Sequence, residues 1–313
     1  MLFEVMGMLD RLQRDHQELY VFLKGVYGNS IGLWYFKELY VRHVGFYNGK
    51  KRLRLLNGID ADKNIVEKIK SGKPFMMGRF GSSEIRGIFK DEFDILCYFA
   101  GFFPRDPKLL GKFKKVYLDA AKSLDILAIW NYKNHFVNKV KLMRALPNLE
   151  NIIPLSVAGG FNENWLEELE GKKVLVVNSF KKTIESQYKK RAELGILPKL
   201  RSLEVIKSVQ TLGDNEDGRF ETWFDALNYM KKEIDKKDFD VALIACGAYG
   251  LPLAAHVKSL GKQALLVGGG LQLLFGIKGK RWNDAGIYNE NWVSMMKEDC
   301  LEDSGKLEGG CYW

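Results

Sequence analysis

Three stretches of this chain, 174–177, 241–245 and 264–267, are unbroken apolar runs of strand length. Runs with no polar alternate fit parallel strands that are covered on both faces. The stretches 74–80, 126–130, 151–155 and 203–209 read as further strands. Between them, apolar positions recur at three and four. Ile65, Val66 and Ile69 mark a helix capped by Asp60 or Asp62 and ended at Gly72, and 108–124 marks another. The segment 161–169, capped near Asn162, turns Trp165, Leu166 and Leu169 inward, and 183–194 is a charged helix. Over 220–234, Trp223, Phe224, Leu227 and Met230 share one face. Strands alternating with helices predict an α/β protein with a Rossmann-like, mainly parallel sheet and helices on both faces.

The pattern before this region is different. Leu2, Met6, Leu9, Leu12, His16, Leu19 and Leu23 describe one amphipathic helix. After Gly28-Asn29-Ser30 comes LWYFKELYVRHVGFY, then Lys50, Lys51, Arg52 and Arg54. The chain therefore divides into a helical N-terminal appendage over 1–56 and a main domain over 57–313. A basic, aromatic-rich appendage can lie on an anionic membrane surface, or pack on the main domain or a second subunit.

The richest stretch runs from 241 to 282. Its first strand is followed by Gly247-Ala248-Tyr249-Gly250, with Pro252 in the first turn of a helix over 253–260 that stops at Gly261. A glycine turn between a strand and a helix N-terminus exposes N–H groups to an anion, most often phosphate. The same spacing also arises where a helix must pack close to a sheet. It is not the full G-x-G-x-x-G fingerprint, and Val267 leads into Gly268-Gly269-Gly270 rather than an acidic residue. A dinucleotide site is therefore not expected.

Ligands of parallel sheets sit outside the carboxyl ends of strands. The candidates there are Arg79, Gly81, Ser82 and Glu84, then Asn178, then Gln210-Thr211, then Gly247, Tyr249 and Gly250. Tyr249 can stack on a uracil or sugar, or sit wedged between helices. A last cluster holds Gln272, Lys278, Lys280, Arg281 and Trp282, which can neutralise a diphosphate or be a solvated loop. Ser82 or Ser83 can equally cap a helix whose first turn Glu84 completes.

The stretch CGAYGLPLAAHVKSLGKQALLVGGGLQLLFGIKGKRW, the earlier EGKKVLVVNSF and the terminal EGGCYW resemble a family of bacterial proteins. Its members carry a domain similar to GT-D-type glycosyltransferases and occur among cell-surface polysaccharide genes. The resemblance covers about 73–313. It implies a Rossmann-like domain that binds a nucleotide-sugar donor, a UDP-sugar first, and transfers the sugar to a glycan or lipid-linked acceptor. Residues 79–84 are similar to the R-x-G-D-G-E segment of GT-D enzymes, whose carboxylates are associated with the donor diphosphate and its metal. Arg79, Gly81 and Glu84 agree, but Ser82 stands in place of the Asp and Ser83 in place of a Gly. A single carboxylate is a poor cage for Mn²⁺ or Mg²⁺ unless phosphates complete the shell. Glu84 is thus open as a metal ligand, a base, or a partner of a sugar hydroxyl. Many members carry His-Pro-Phe where this chain has Asn178-Ser179-Phe180, so a proton-transfer role does not carry over to Asn178, which could still bond a base or ribose.

Composition narrows the alternatives. The formal net charge is +9, but the basic residues are scattered among acids and no nucleic-acid motif accompanies them, so nucleic acid is not an expected partner. Cys97, Cys246, Cys300 and Cys311 form no C-x-x-C pair, and His16, His43, His135 and His256 are isolated. Neither a zinc site nor a hydrolase triad is supported. The N-terminus does not look like a secretory signal, and no run of 18 uncharged apolar residues exists. The expected setting is cytoplasmic, with membrane association through 1–56 as the variant. The rivals to a glycosyltransferase are a nucleotide-sugar sensor or scaffold without turnover and a Rossmann-like sugar-modifying enzyme of other chemistry; no redox cofactor is expected.

Overall fold

The computed structural model describes residues 46–48, 51–53, 56–129, 146–213, 215 and 217–301. The amphipathic and aromatic segments expected before residue 46, and the terminal EGGCYW, lie outside the described residues. The described part of the appendage is not helical. Strands β1 (Phe46–Asn48) and β2 (Lys51–Leu53) pair antiparallel as a short hairpin. Leu53 is fully buried in the main core, and Leu56 N–H donates to Ile152 O at 2.9 Å, so the main domain already begins to grip the chain there.

Helix α1 (Gly58–Lys70) follows. Its cap is Asn57, whose side chain accepts from Asp60 N–H, and not Asp60 or Asp62. Asp62 is instead buried, where it accepts from Asn164 Nδ2 at 2.7 Å and from Trp165 N–H at 3.0 Å.

Seven strands then build one sheet. They are β3 (Phe75–Arg79), β4 (Ile126–Ile129), β5 (Asn151–Pro154), β6 (Lys173–Asn178), β7 (Ser202–Lys207), β8 (Val241–Ala245) and β9 (Gln263–Leu266). The spatial order is β5-β4-β3-β9-β8-β6-β7, and every neighbouring pair is parallel. All the strands expected from apolar runs share this sheet. The chain lays β3, β4 and β5 towards one edge, crosses to β6 and β7 at the other edge, and then fills inward with β8 and β9. The direction of strand succession therefore reverses where β9 meets β3, the kind of place where open α/β sheets leave a crevice.

Strand pleating explains the two cores. Met76, Leu127, Leu175, Val177, Ala242 and Ile244 face one side; Phe75, Met77, Val174, Val176, Val241 and Leu243 face the other. The first side is covered by α4 (Leu110–Ala121), α8 (Trp223–Asp235) and α9 (Gly250–Ser259), and the second by α1, α5 (Leu155–Gly159) and α6 (Lys181–Lys189). Two shorter helices of the first half, α2 (Ser82–Lys90) and α3 (Phe93–Ala100), follow β3, and α7 (Arg191–Leu194) and α10 (Leu271–Leu274) complete the set.

Several boundaries differ from the sequence reading. The stretch expected as a helix over 161–169 is a 3₁₀ segment, Asn164–Leu169, and Asn162 is not its cap but a left-handed residue at φ 63°. Trp165, Leu166 and Leu169 are buried as expected. The helix expected over 183–194 is split at Lys190 into α6 and α7. Helix α8 begins at Trp223, because Thr222 and Asp225 form a reciprocal capping box that fixes its start after Phe220. Among the described residues no helix is long and apolar enough to cross a membrane.

Candidate functional site

A cavity of about 590 Å³ lies at the carboxyl ends of the strands. Its described wall carries residues that follow β3 (79–85), β6 (178–180), β7 (208–212), β8 (245–249) and β9 (268–272), with 98–101 and Tyr117 closing it from the helical side. Volume and position suit a small-molecule site. Eleven of the sequence candidates meet there: Arg79, Gly81, Ser82, Glu84, Asn178, Gln210, Thr211, Gly247, Tyr249, Gln272 and Arg281. Residues far apart in the chain converge because all but Arg281 stand at or shortly after the end of a parallel strand. Gly250 and Lys280 do not line the cavity.

Gly250 is a correction with a clear cause. It is the first residue of α9 and buried, and a Cβ there would stand 2.5 Å from Leu266 Cδ1. The missing side chain seats the helix on β9; it does not open a path for a ligand. Helix α9 thus starts at Gly250, three residues before the expected 253–260, with Pro252 in its first turn. Lys280 is exposed in the 3₁₀ segment Lys280–Ala285, and Arg281 beside it faces the cavity, its guanidinium also 5.1 Å from the Trp282 ring centroid.

Tyr249 is not available as a stacking platform. Its ring lies parallel to Trp223 at a centroid distance of 5.0 Å and an interplanar angle of 8°, and only 2% of the residue is exposed. The wedged reading is the observed one. Burial raises its hydroxyl pKa far above the ordinary value, a shift only partly opposed by the Thr211 hydroxyl. Asn178 is likewise committed to the scaffold. Its Nδ2 donates to Ala245 O at 2.7 Å, and its Oδ1 accepts from Phe180 N–H at 2.8 Å, which ties the ends of β6 and β8 together.

The charged part of the wall is built from β3 and β9. Gly81, with a φ of −71°, is the N-cap of α2, so neither Ser82 nor Ser83 caps it. Glu84 is the third residue of that helix and 93% buried, with its carboxylate folded over Gly81: a Cβ on Gly81 would lie 2.0 Å from Oε2. Gly81 therefore makes room for the carboxylate at the helix N-terminus, where a negative charge is favoured. Tyr117 stands close by. Its hydroxyl pKa is pushed well up, first by burial, then by the charge of Glu84, with Arg79 acting in the opposite sense. Arg79 extends over Gly268, which has a φ of +61°. Among the described residues Arg79 forms no ion pair.

Among the described wall residues Glu84 is the one carboxylate, and no cluster of three His, Cys, Asp or Glu side chains occurs among the described residues. A divalent ion wants several oxygen ligands at fixed distances. This donor set does not fit a resident metal, and the chemistry below uses none.

Sequence reasoning passed over Tyr98, Phe99, Ser179 and Ser208, which the structure places on the same wall. Ser179 and Ser208 follow predicted strands and were in reach of that rule; Tyr98 and Phe99 lie on α3, which no strand-end rule finds.

No protein-family model matches the chain, and no curated protein matches it. Solved structures similar to it exist. One is presented as showing that the highly conserved domain of unknown function 1792 has a distinct glycosyltransferase fold; it has 13% identity and a TM-score of 0.45, over 79% of this chain and 92% of that one. Another is described as a new glycosyltransferase (DUF1792) from Streptococcus sanguinis, with 12% identity and a TM-score of 0.45, over 81% of this chain and 97% of that one.

Proposed function

We propose that the cavity binds a nucleoside diphosphate sugar and that the protein is a glycosyltransferase. The observation that carries this reading is the convergence of Arg79 and Arg281 with the turns at Gly247 and Gly268 on one cavity at the strand ends. Two guanidinium groups and glycine-rich backbone suit a diphosphate. In glycosyl transfer the acceptor oxygen bonds to the anomeric carbon as the bond from that carbon to the diphosphate oxygen breaks. Negative charge grows on the diphosphate, and Arg79 and Arg281 stabilise it. The acceptor hydroxyl loses its proton as it attacks, and Glu84, the carboxylate among the described wall residues, is the base of this proposal. The sequence resemblance points to a UDP-sugar donor and a glycan or lipid-linked acceptor in surface polysaccharide or glycoprotein assembly.

A non-catalytic sensor is the second reading, favoured by the single carboxylate and its position against its own helix. Thermal shift with UDP, UDP-sugars and NAD, followed by measurement of released UDP, separates the two. A ligand of the native state raises the melting temperature. Stabilisation by UDP-sugars with UDP release supports the transferase; stabilisation without release under any acceptor supports the sensor. Stabilisation by NAD alone overturns both.

A further inference from the structure

The wall of the cavity is chemically divided. Arg79 and Glu84 belong to one part, beyond β3, where Arg79 reaches over Gly268 at the end of β9. The part beyond β6 and β7 carries no charge and presents Ser179, Ser208, Gln210 and Thr211, faced by Tyr98 and Phe99 of α3. Ser179 and Ser208 are 6% and 4% exposed, Gln210 is half-buried, and among the described residues none of these three side chains makes a hydrogen bond within the protein. Polar groups that line a cavity and have no protein partner are open to water or to a ligand. Neighbouring groups are already committed: Thr211 Oγ1 donates to Gly101 O at 2.7 Å, and the Asn178 amide bridges two strand ends.

The aromatic rings sort in the same way. Tyr117, Phe180 and Tyr249 are buried, and Phe80 stands in the charged part against Tyr117. Tyr98 and Phe99 are partly exposed, line the cavity, and meet edge to face with centroids 4.9 Å apart. Backbone holds them there. Tyr98 O accepts from Gly213 N–H at 2.8 Å, Gly101 is bonded by Thr211, and a Cβ on Gly247 would lie 3.3 Å from Ala100 O. The pair is thus pinned to the loops after β7 and β8 before any ligand arrives.

We propose that the nucleoside half of the donor lies over the ends of β6 and β7, its base on the Tyr98–Phe99 pair and its polar edge and ribose on Gln210, Ser179 and Ser208. This rests on the reading of the cavity as a nucleotide-sugar site, and it fixes the donor's direction. The diphosphate then spans towards Arg79 and Gly268, and the anomeric carbon falls on the Glu84 side.

Calorimetric titration of the full chain with UDP, CDP, GDP and ADP, and separately with inorganic pyrophosphate, tests it. Variants are Tyr98→Leu, Phe99→Leu, Gln210→Ala and Arg79→Ala; leucine keeps apolar bulk while removing the aromatic face. The expected result is that Tyr98→Leu or Phe99→Leu weakens the bound nucleoside diphosphate about tenfold, the size of one base–aromatic stack, and leaves pyrophosphate affinity unchanged. Arg79→Ala should weaken both ligands together. A parent that binds a nucleoside diphosphate as tightly as both leucine variants do overturns the placement while the functional reading stands. A parent that binds none of the four nucleotides overturns that reading and the placement with it.

Discussion

The Arg79 guanidinium lies over the α-carbon of Gly268, where a Cβ would stand 2.6 Å from its Nη1. Gly268 also holds a φ of +61°, so any side chain there is strained and would drive the guanidinium out of its place. Gly268→Ala should therefore weaken pyrophosphate and UDP alike, while costing about 1 kcal/mol of stability. Calorimetry paired with urea unfolding checks this; unchanged ligand affinity in the folded variant would separate Arg79 from anion binding.

Gly250→Val should behave in the opposite way. The new side chain meets Leu266 at the helix–sheet contact, so the loss is in folding, roughly 1–3 kcal/mol. Whatever protein remains folded should keep its affinity for UDP. A stable variant with selective loss of UDP binding would return Gly250 to the ligand site.

Glu84→Gln keeps the shape of the carboxylate and removes its basicity. The expected outcome is a fall in transfer of about 10²–10⁴-fold, the usual weight of a general base, with UDP affinity within about twofold of the parent. Initial rates of UDP release and a titration on the same preparation measure the two quantities. Equal rates in variant and parent would remove Glu84 from the chemistry.

Lys258 of α9 and Asp125 form a part-buried brace at the start of β3 and β4. Asp125 Oδ2 accepts from Met76 N–H at 2.7 Å and from Lys258 Nζ at 2.7 Å. Asp125→Ala strands both donors and should cost about 3 kcal/mol or more in urea unfolding. A loss under 1 kcal/mol would show that water replaces the carboxylate there.

Alkaline stability should report on Cys97. Burial raises its thiol pKa from 9.0 to about 11. Above pH 9 the unfolded thiol loses its proton while the folded one keeps it, so the native state binds more protons and stability falls as pH rises from about 9 to about 11. Cys97→Ala should flatten part of that decline. Unfolding at pH 8, 9 and 10 gives the slopes, and identical slopes in variant and parent would place the titration elsewhere.

The fold was largely legible because a buried parallel strand leaves an unmistakable mark: Val174 to Val177 has no polar alternate since both faces are covered. The candidate site is legible where a residue stands at the end of such a strand or in the turn after it, as Arg79 and Gly247 do. Two kinds of information were missing. Periodicity cannot say which neighbour a group already serves, so it leaves Tyr249 open between stacking on a ligand and wedging between helices, and does not show that Asn178 ties two strand ends. Nor can it show which helix folds back over the strand ends, which is why Tyr98 and Phe99 went unseen. The spacing Gly247-x-x-Gly250 joined two separate jobs, since only the first glycine reaches the cavity.

The place of β9 between β3 and β8 has a consequence for how the protein is made. The ribosome completes β3 to β8 before the strand that joins their two groups has emerged, and until Gln263–Leu266 pairs on both sides the sheet is two unconnected halves. Arg79 is synthesised early in the domain and Gly268 only after β9, so the Arg79–Gly268 wall of the cavity comes into being only when the sheet is zipped. A nascent chain that stalls short of residue 263 lacks both β9 and the Gly268 turn over which Arg79 lies.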